Sequence, residues 1–186
     1  MLRRLYAFSL TILISFFVGC FDGDFDLTEA ADLTDPKKYN SNQIFFKYPK
    51  NWKISGDSFT PAIHNLFVET TGDALVIFQS YQSELAEDLE TFSKNFSEST
   101  QMETPLGKIS QSELKTIPKK GGFEGIQETF DISILGISVP HKRIFLSKKI
   151  AERQVFLIYQ TAIEDNPQTE SGFNLIRDTL KEYEGN

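Results

Sequence analysis

The chain has 186 residues, 40% apolar and 24% charged, with a formal net charge of −7 and one cysteine. This composition suits one globular domain and excludes collagen-like, low-complexity and disulfide-built chains. The acidic balance also argues against general nucleic-acid binding, because it repels phosphate.

The first element is apolar. Arg3 and Arg4 precede a run from Leu5 to Val18 that is broken only by Ser9, Thr11 and Ser15. Spanning a bilayer takes about 20 residues, so the run fits the apolar core of a secretory signal better than a transmembrane helix. It ends at Phe17-Val18-Gly19-Cys20, and Cys20 is the sole cysteine. This segment resembles a bacterial lipoprotein signal. Gly19 and Cys20 match the lipobox, while Phe17 stands where Leu is usual. The resemblance implies cleavage before Cys20 and fatty acylation of Cys20, hence anchoring to a cell membrane or outer membrane outside the cytoplasm. Two or three acyl chains give stable anchoring, at about 0.8 kcal/mol per buried CH₂. An uncleaved anchor, or an ordinary signal with Cys20 incidental, are the alternatives.

Residues 1–19 are therefore read as the signal peptide, residues 20–42 as lipidated Cys20 and an acidic flexible tether, and residues 43–186 as a single domain. Removing Arg3 and Arg4 takes the net charge from −7 to −9. Asp22, Asp24, Asp26, Glu29, Asp32 and Asp35 face only Lys37 and Lys38 before Gln43. A coil over residues 21–42 would reach roughly 25 Å.

From Ile44 the pattern is β-rich. Ile44–Tyr48 closes on Pro49, a turn leads to Trp52, and His64–Glu69 and Ala74–Tyr81 flank a turn at Gly72. Ser83 with Glu84, Glu87 and Asp88 predicts a helix start, and Leu85, Leu89, Phe92 and Phe96 form one stripe. Ile109–Ile117 leads to a turn at Gly121-Gly122. Ile126, Phe130, Ile132 and Ile134 then alternate with Gln127, Thr129, Asp131 and Ser133. Val139–Ser147 and Gln154–Ile163 predict a hairpin, with the apolar run Val155–Tyr159 central. A last helix opens at Asn166-Pro167 and buries Phe173, Ile176, Leu180 and Tyr183. After Cys20 there are 14 Phe residues, enough for a sizeable core. The fold class is α+β: a central antiparallel sheet covered by two main helices, an α/β/α sandwich.

That order, with Phe46-Lys47-Tyr48-Pro49-Lys50-Asn51-Trp52, resembles the PsbP/Mog-type family, which includes DcrB-like bacterial lipoproteins. The likeness covers residues 43–184. It implies an assembly factor, accessory subunit or binding module, and no catalytic residue carries over.

The residues add little chemistry. His64 and His141 are far apart and lack local ligands, so no metal site and no cofactor is expected. There is no Gly-x-Ser-x-Gly elbow, no thiol besides Cys20 and no Ser-x-x-Lys motif, so the chain is read as a non-enzyme. Residues 108–153 hold nine Lys/Arg and five acids, a net +4 in a mature chain of −9, so the rest carries −13. Lys119, Lys120, Lys142, Arg143, Lys148 and Lys149 are the candidate partner-binding residues, for an acidic envelope protein or anionic headgroups. Lysines that guard sheet edges from aggregation are the plainer reading and the favoured one. The expected function is a membrane-anchored, non-catalytic accessory module. A carrier of a small apolar ligand, or a hydrolase, are the other readings.

Overall fold

Strand β9 (Arg153–Ala162) is apolar on both faces and is the central strand of a seven-stranded sheet. The computed structural model describes residues 29–102 and 107–183. Across the sheet the order is β3 (Lys53–Phe59), β4 (Ile63–Glu69), β5 (Leu75–Gln82), β9, β8 (Ile137–Ile150), β7 (Phe123–Ile134) and β6 (Gly107–Lys120). Every neighbouring pair is antiparallel. A small sheet joins β1 (Lys37–Ser41), β2 (Ile44–Tyr48) and β10 (Lys181–Glu182). Two helices complete the fold, α1 (Leu89–Met102) and α2 (Asn166–Thr179).

Side-chain alternation sorts the core into two layers. Val155 and Leu157 point to one face, with Val76, Phe78, Ile144 and Leu146, and pack with Phe173 and Ile176 of α2 and Phe46 of β2. Phe156 and Ile158 point to the other, with Ile77 and Phe145, beneath Leu89, Phe92 and Phe96 of α1. Phe92 lies flat on Phe156, with centroids 3.9 Å apart and planes 7° apart. The large sheet thus lies between α1 and the layer of α2 and the small sheet, as the α+β reading expects.

Three expectations change. The tether predicted over residues 20–42 is replaced by folded chain from Glu29 onward; residues 20–28 lie outside the described residues. The Thr71 hydroxyl donates to the Glu29 carbonyl, Ala31 N–H donates to the Gln168 carbonyl at 2.9 Å, and β1 pairs along its length with β2. Glu29 and Asp35 are exposed, while the backbone supplies the bonds. Tyr39 supplies the apolar contact, stacked on Phe46 at 5.0 Å.

The first helix also starts later than Ser83. A 3₁₀ turn spans Ser83–Leu85, and α1 opens at Leu89. Asp88 caps it, because its carboxylate accepts from Thr91 N–H at 2.9 Å and from the Thr91 hydroxyl at 2.8 Å. The Ser83 hydroxyl is engaged elsewhere, on the Glu152 carbonyl. Leu85 therefore falls off the stripe and is 49% exposed. Helix α2 begins where Asn166-Pro167 predicts and buries Phe173 and Ile176, with Leu180 just beyond it, while Tyr183 lies past the helix and is 38% exposed.

Candidate functional site

The predicted basic residues separate into two groups. The β6–β7 turn at Gly121-Gly122 and the β8–β9 turn at Ala151-Glu152 project from the same end of the large sheet, since Glu124 pairs with Ser147 and Lys148 with Val155. The two tips touch: the Lys148 ammonium donates to the Gly121 carbonyl at 3.4 Å and lies 5.2 Å from the Phe123 ring centroid. Lys119, Lys120 and Lys149 stand exposed beside it. Their charge is partly matched. Lys119 reaches Glu124 at 2.6 Å and Lys149 reaches Glu152 at 3.4 Å. Lys120 acts on Asp178, whose pKa is lowered chiefly by hydrogen bonds from Arg177. Gly121 and Gly122 both have positive φ, at 60° and 79°, which the tight turn requires.

Lys142 and Arg143 do not belong to this end. Lys142 is half-buried midway along β8, and burial lowers its pKa. Arg143 is 2% exposed and cannot touch a partner. Its guanidinium donates to Glu128 at 2.7 Å and to Gln160 at 2.6 and 2.9 Å, and it lies 4.6 Å from the Phe130 ring centroid. Glu128 is wholly buried and also accepts from Ser97 at 2.8 Å and Ser112 at 2.6 Å. Burial lowers the Arg143 pKa, and the Glu128 charge opposes that shift. The cluster joins α1, β6, β7, β8 and β9. Glu128 escaped notice although a signal was present, a carboxylate on the apolar face between Ile126 and Phe130.

A second buried polar group went unread. The His64 ring, with no exposed surface, meets Asp57 Oδ1 through Nε2 at 2.8 Å, and the Tyr39 hydroxyl donates to Asp57 Oδ2 at 2.8 Å. Phe59 and Phe78 meet the imidazole edge-on at 5.5 and 5.4 Å. Burial, reinforced by Asp57, raises the Tyr39 pKa and keeps its phenol protonated as a donor. The ring is enclosed, and the trio ties the small sheet to β3 and β4. His141 lies on β8 against Phe130, with burial lowering its pKa. It borders a cleft of about 110 Å³. Among the described residues no three His, Cys, Asp or Glu gather as a metal-binding group.

One titration has a clear sign. Tyr159 stacks on Phe173 at 4.2 Å, and burial pushes its pKa up to about 12. The folded value exceeds the unfolded one, near 10, so this stabilisation is complete below pH 10 and is lost as pH rises toward 12. The loss amounts to about 2–3 kcal/mol across that window. Urea denaturation of Tyr159→Phe between pH 9 and 12 should show a shallower alkaline decline than the parent.

No protein-family model and no curated protein matches the chain. Among solved structures, the chain is similar to the cyanobacterial PsbP protein CyanoP of Synechocystis sp. PCC 6803, at 9% identity and a TM-score of 0.53, over 80% of this chain and 92% of that one. It is also matched to LpqN of Mycobacterium tuberculosis, a protein involved in cell envelope biogenesis, at 12% identity and a TM-score of 0.40, over 78% of this chain and 88% of that one. Two helices against a large antiparallel sheet, together with the CyanoP likeness, give the chain a PsbP-like α+β fold.

Proposed function

We propose that the protein is a non-catalytic accessory module of the cell envelope, anchored by acylated Cys20, that presents its lysine end to an acidic protein. The observation that carries this reading is the polarity of the domain. Glu29, nine positions after Cys20, is held beside the β4–β5 turn by Thr71, and Lys119, Lys120, Lys148 and Lys149 cluster at the opposite end of the sheet. Strand β8 alone has 14 residues, about 46 Å of length at roughly 3.3 Å per residue. An anchor at the Glu29 end therefore turns the lysines away from the anchoring membrane. That orientation favours an acidic protein over the headgroups of that membrane. The packed aromatic layers favour an interaction module over carriage, since a site for a small apolar ligand is typically about 300–1,000 Å³.

The test is photo-crosslinking in native membranes, with Lys119, Lys120, Lys148 and Lys149 all changed to Glu. Arg143 stays untouched, because reversing it would break the core. A specific partner captured by the parent should be lost from the variant while its Tm stays within a few degrees. Capture that survives the reversal would refute the lysine end as the contact. Cys20→Ala should move the protein out of the membrane fraction, and retention there would refute the anchor.

A further inference from the structure

We propose that the β7–β8 hairpin tip inserts Leu135 and Ile137 into the bilayer that holds the anchor, an inference that rests on the reading of Cys20 as acylated. The tip reads Ile132-Ser133-Ile134-Leu135-Gly136-Ile137-Ser138-Val139 and carries no charge. Leu135 is 89% exposed and Ile137 is 68% exposed. Both turn residues have positive φ, Leu135 at 51° and Gly136 at 85°. A two-residue hairpin turn of this kind prefers Asn, Asp or Gly at its first position. Leucine there is sterically strained and almost wholly exposed, so neither the turn nor the core of this domain gains from it.

The location supplies the occupant. Ala162 at the end of β9 pairs with His141 and Ile163 N–H still donates to the Pro140 carbonyl, so β8 residues 137–139 run past the sheet's central strand by roughly 10 Å. The β4–β5 turn that holds Glu29 projects from the same end, because Leu75 pairs with Gln160 and Gln160 with Arg143. Eight residues separate Cys20 from Glu29. Covalent geometry limits that span to about 31 Å even when fully extended. A domain held so closely meets the membrane repeatedly with this end. Insertion of two aliphatic side chains is weak alone, but tethering makes it an intramolecular event. The lysines, at the far end, are free of the surface in that pose.

The test uses the full chain purified from membranes and reconstituted in phosphatidylcholine vesicles. Acylation blocks the Cys20 sulfur, so Leu135→Cys or Lys120→Cys offers one thiol for an environment-sensitive fluorophore. Intact mass reports acylation independently. The label at 135 should shift blue and be quenched several-fold more by nitroxide lipids than the label at 120. Adding Ile137→Asp should weaken that quenching without lowering Tm. Acylated protein with equal quenching at both positions, or none at 135, overturns the insertion and leaves the anchor reading intact. Unacylated protein overturns both. Burial of the 135 label only when other membrane proteins are present assigns the tip to a protein pocket instead, and also overturns the proposal.

Discussion

Glu128→Gln should cost about 3–5 kcal/mol of folding stability. The reason is the state of Arg143, which is 2% exposed and meets the Glu128 carboxylate at 2.7 Å. Gln has nearly the same shape, so packing changes little while a buried cation loses its counter-charge. Ser97 and Ser112 also lose the stronger, charged acceptor that fastens α1 and β6 to the sheet. A domain of this kind has about 5–15 kcal/mol in total, so the variant should unfold at much lower urea. The double variant Glu128→Leu with Arg143→Met separates charge from packing. It should recover part of the loss, because apolar residues of similar volume often replace a buried ion pair without penalty, while the Ser97 hydroxyl and the Gln160 side-chain carbonyl lose their partners. A double variant as unstable as the single one would show that the loss comes from packing.

Gly172→Ala should destabilise by about 1–3 kcal/mol, against the helix preference for alanine. An added Cβ would lie 2.4 and 2.6 Å from Cη2 and Cζ2 of Trp52 and 2.8 Å from Cγ of Pro49. Trp52 is wholly buried and inclined against Phe173 with centroids 5.5 Å apart, so it has little room to yield. Changing Trp52 to Phe removes the two ring atoms that clash. In that background Gly172→Ala should cost clearly less, the remainder coming from the 2.8 Å approach to Pro49 Cγ. Equilibrium unfolding of the four proteins in the cycle gives the coupling directly, and a coupling near zero would refute the contact as the cause.

Both predictions rest on features that local pattern conceals. The alternation of β7 was legible from Ile126, Phe130 and Ile132, but the register that sets Glu128 opposite Arg143 was not. A charge count groups Arg143 with Lys142 as surface charge, because adjacent strand residues look alike in it. They face opposite sides of the sheet, and only Arg143 faces α1. Gly172 sits inside the α2 stripe with no mark of the indole beside it. Residues 29–42 looked like a tether for the same reason: β1 is held by backbone bonds to β2, and those leave no trace in composition.

Other features were decided locally. The β9 run Val155–Tyr159 is apolar on both faces, which suits only a strand covered on two sides, and it occupies the centre of the sheet. Asn166-Pro167 sets the start of α2 through the fixed φ of proline. Turn glycines at 121 and 122 mark a hairpin because few other residues accept their backbone angles. The sequence by itself thus determined strands β2 and β4 to β9, the presence of both helices, the two-layer alternation and the basic bias of residues 108–153, all of which depend on neighbours a few positions apart. Tertiary structure decided which charges are free and which are buried, that the lysine tips meet, and that Glu29 and Leu135 share one end. Those facts depend on pairing between distant strands, where a shift of one residue would turn every side chain to the other face.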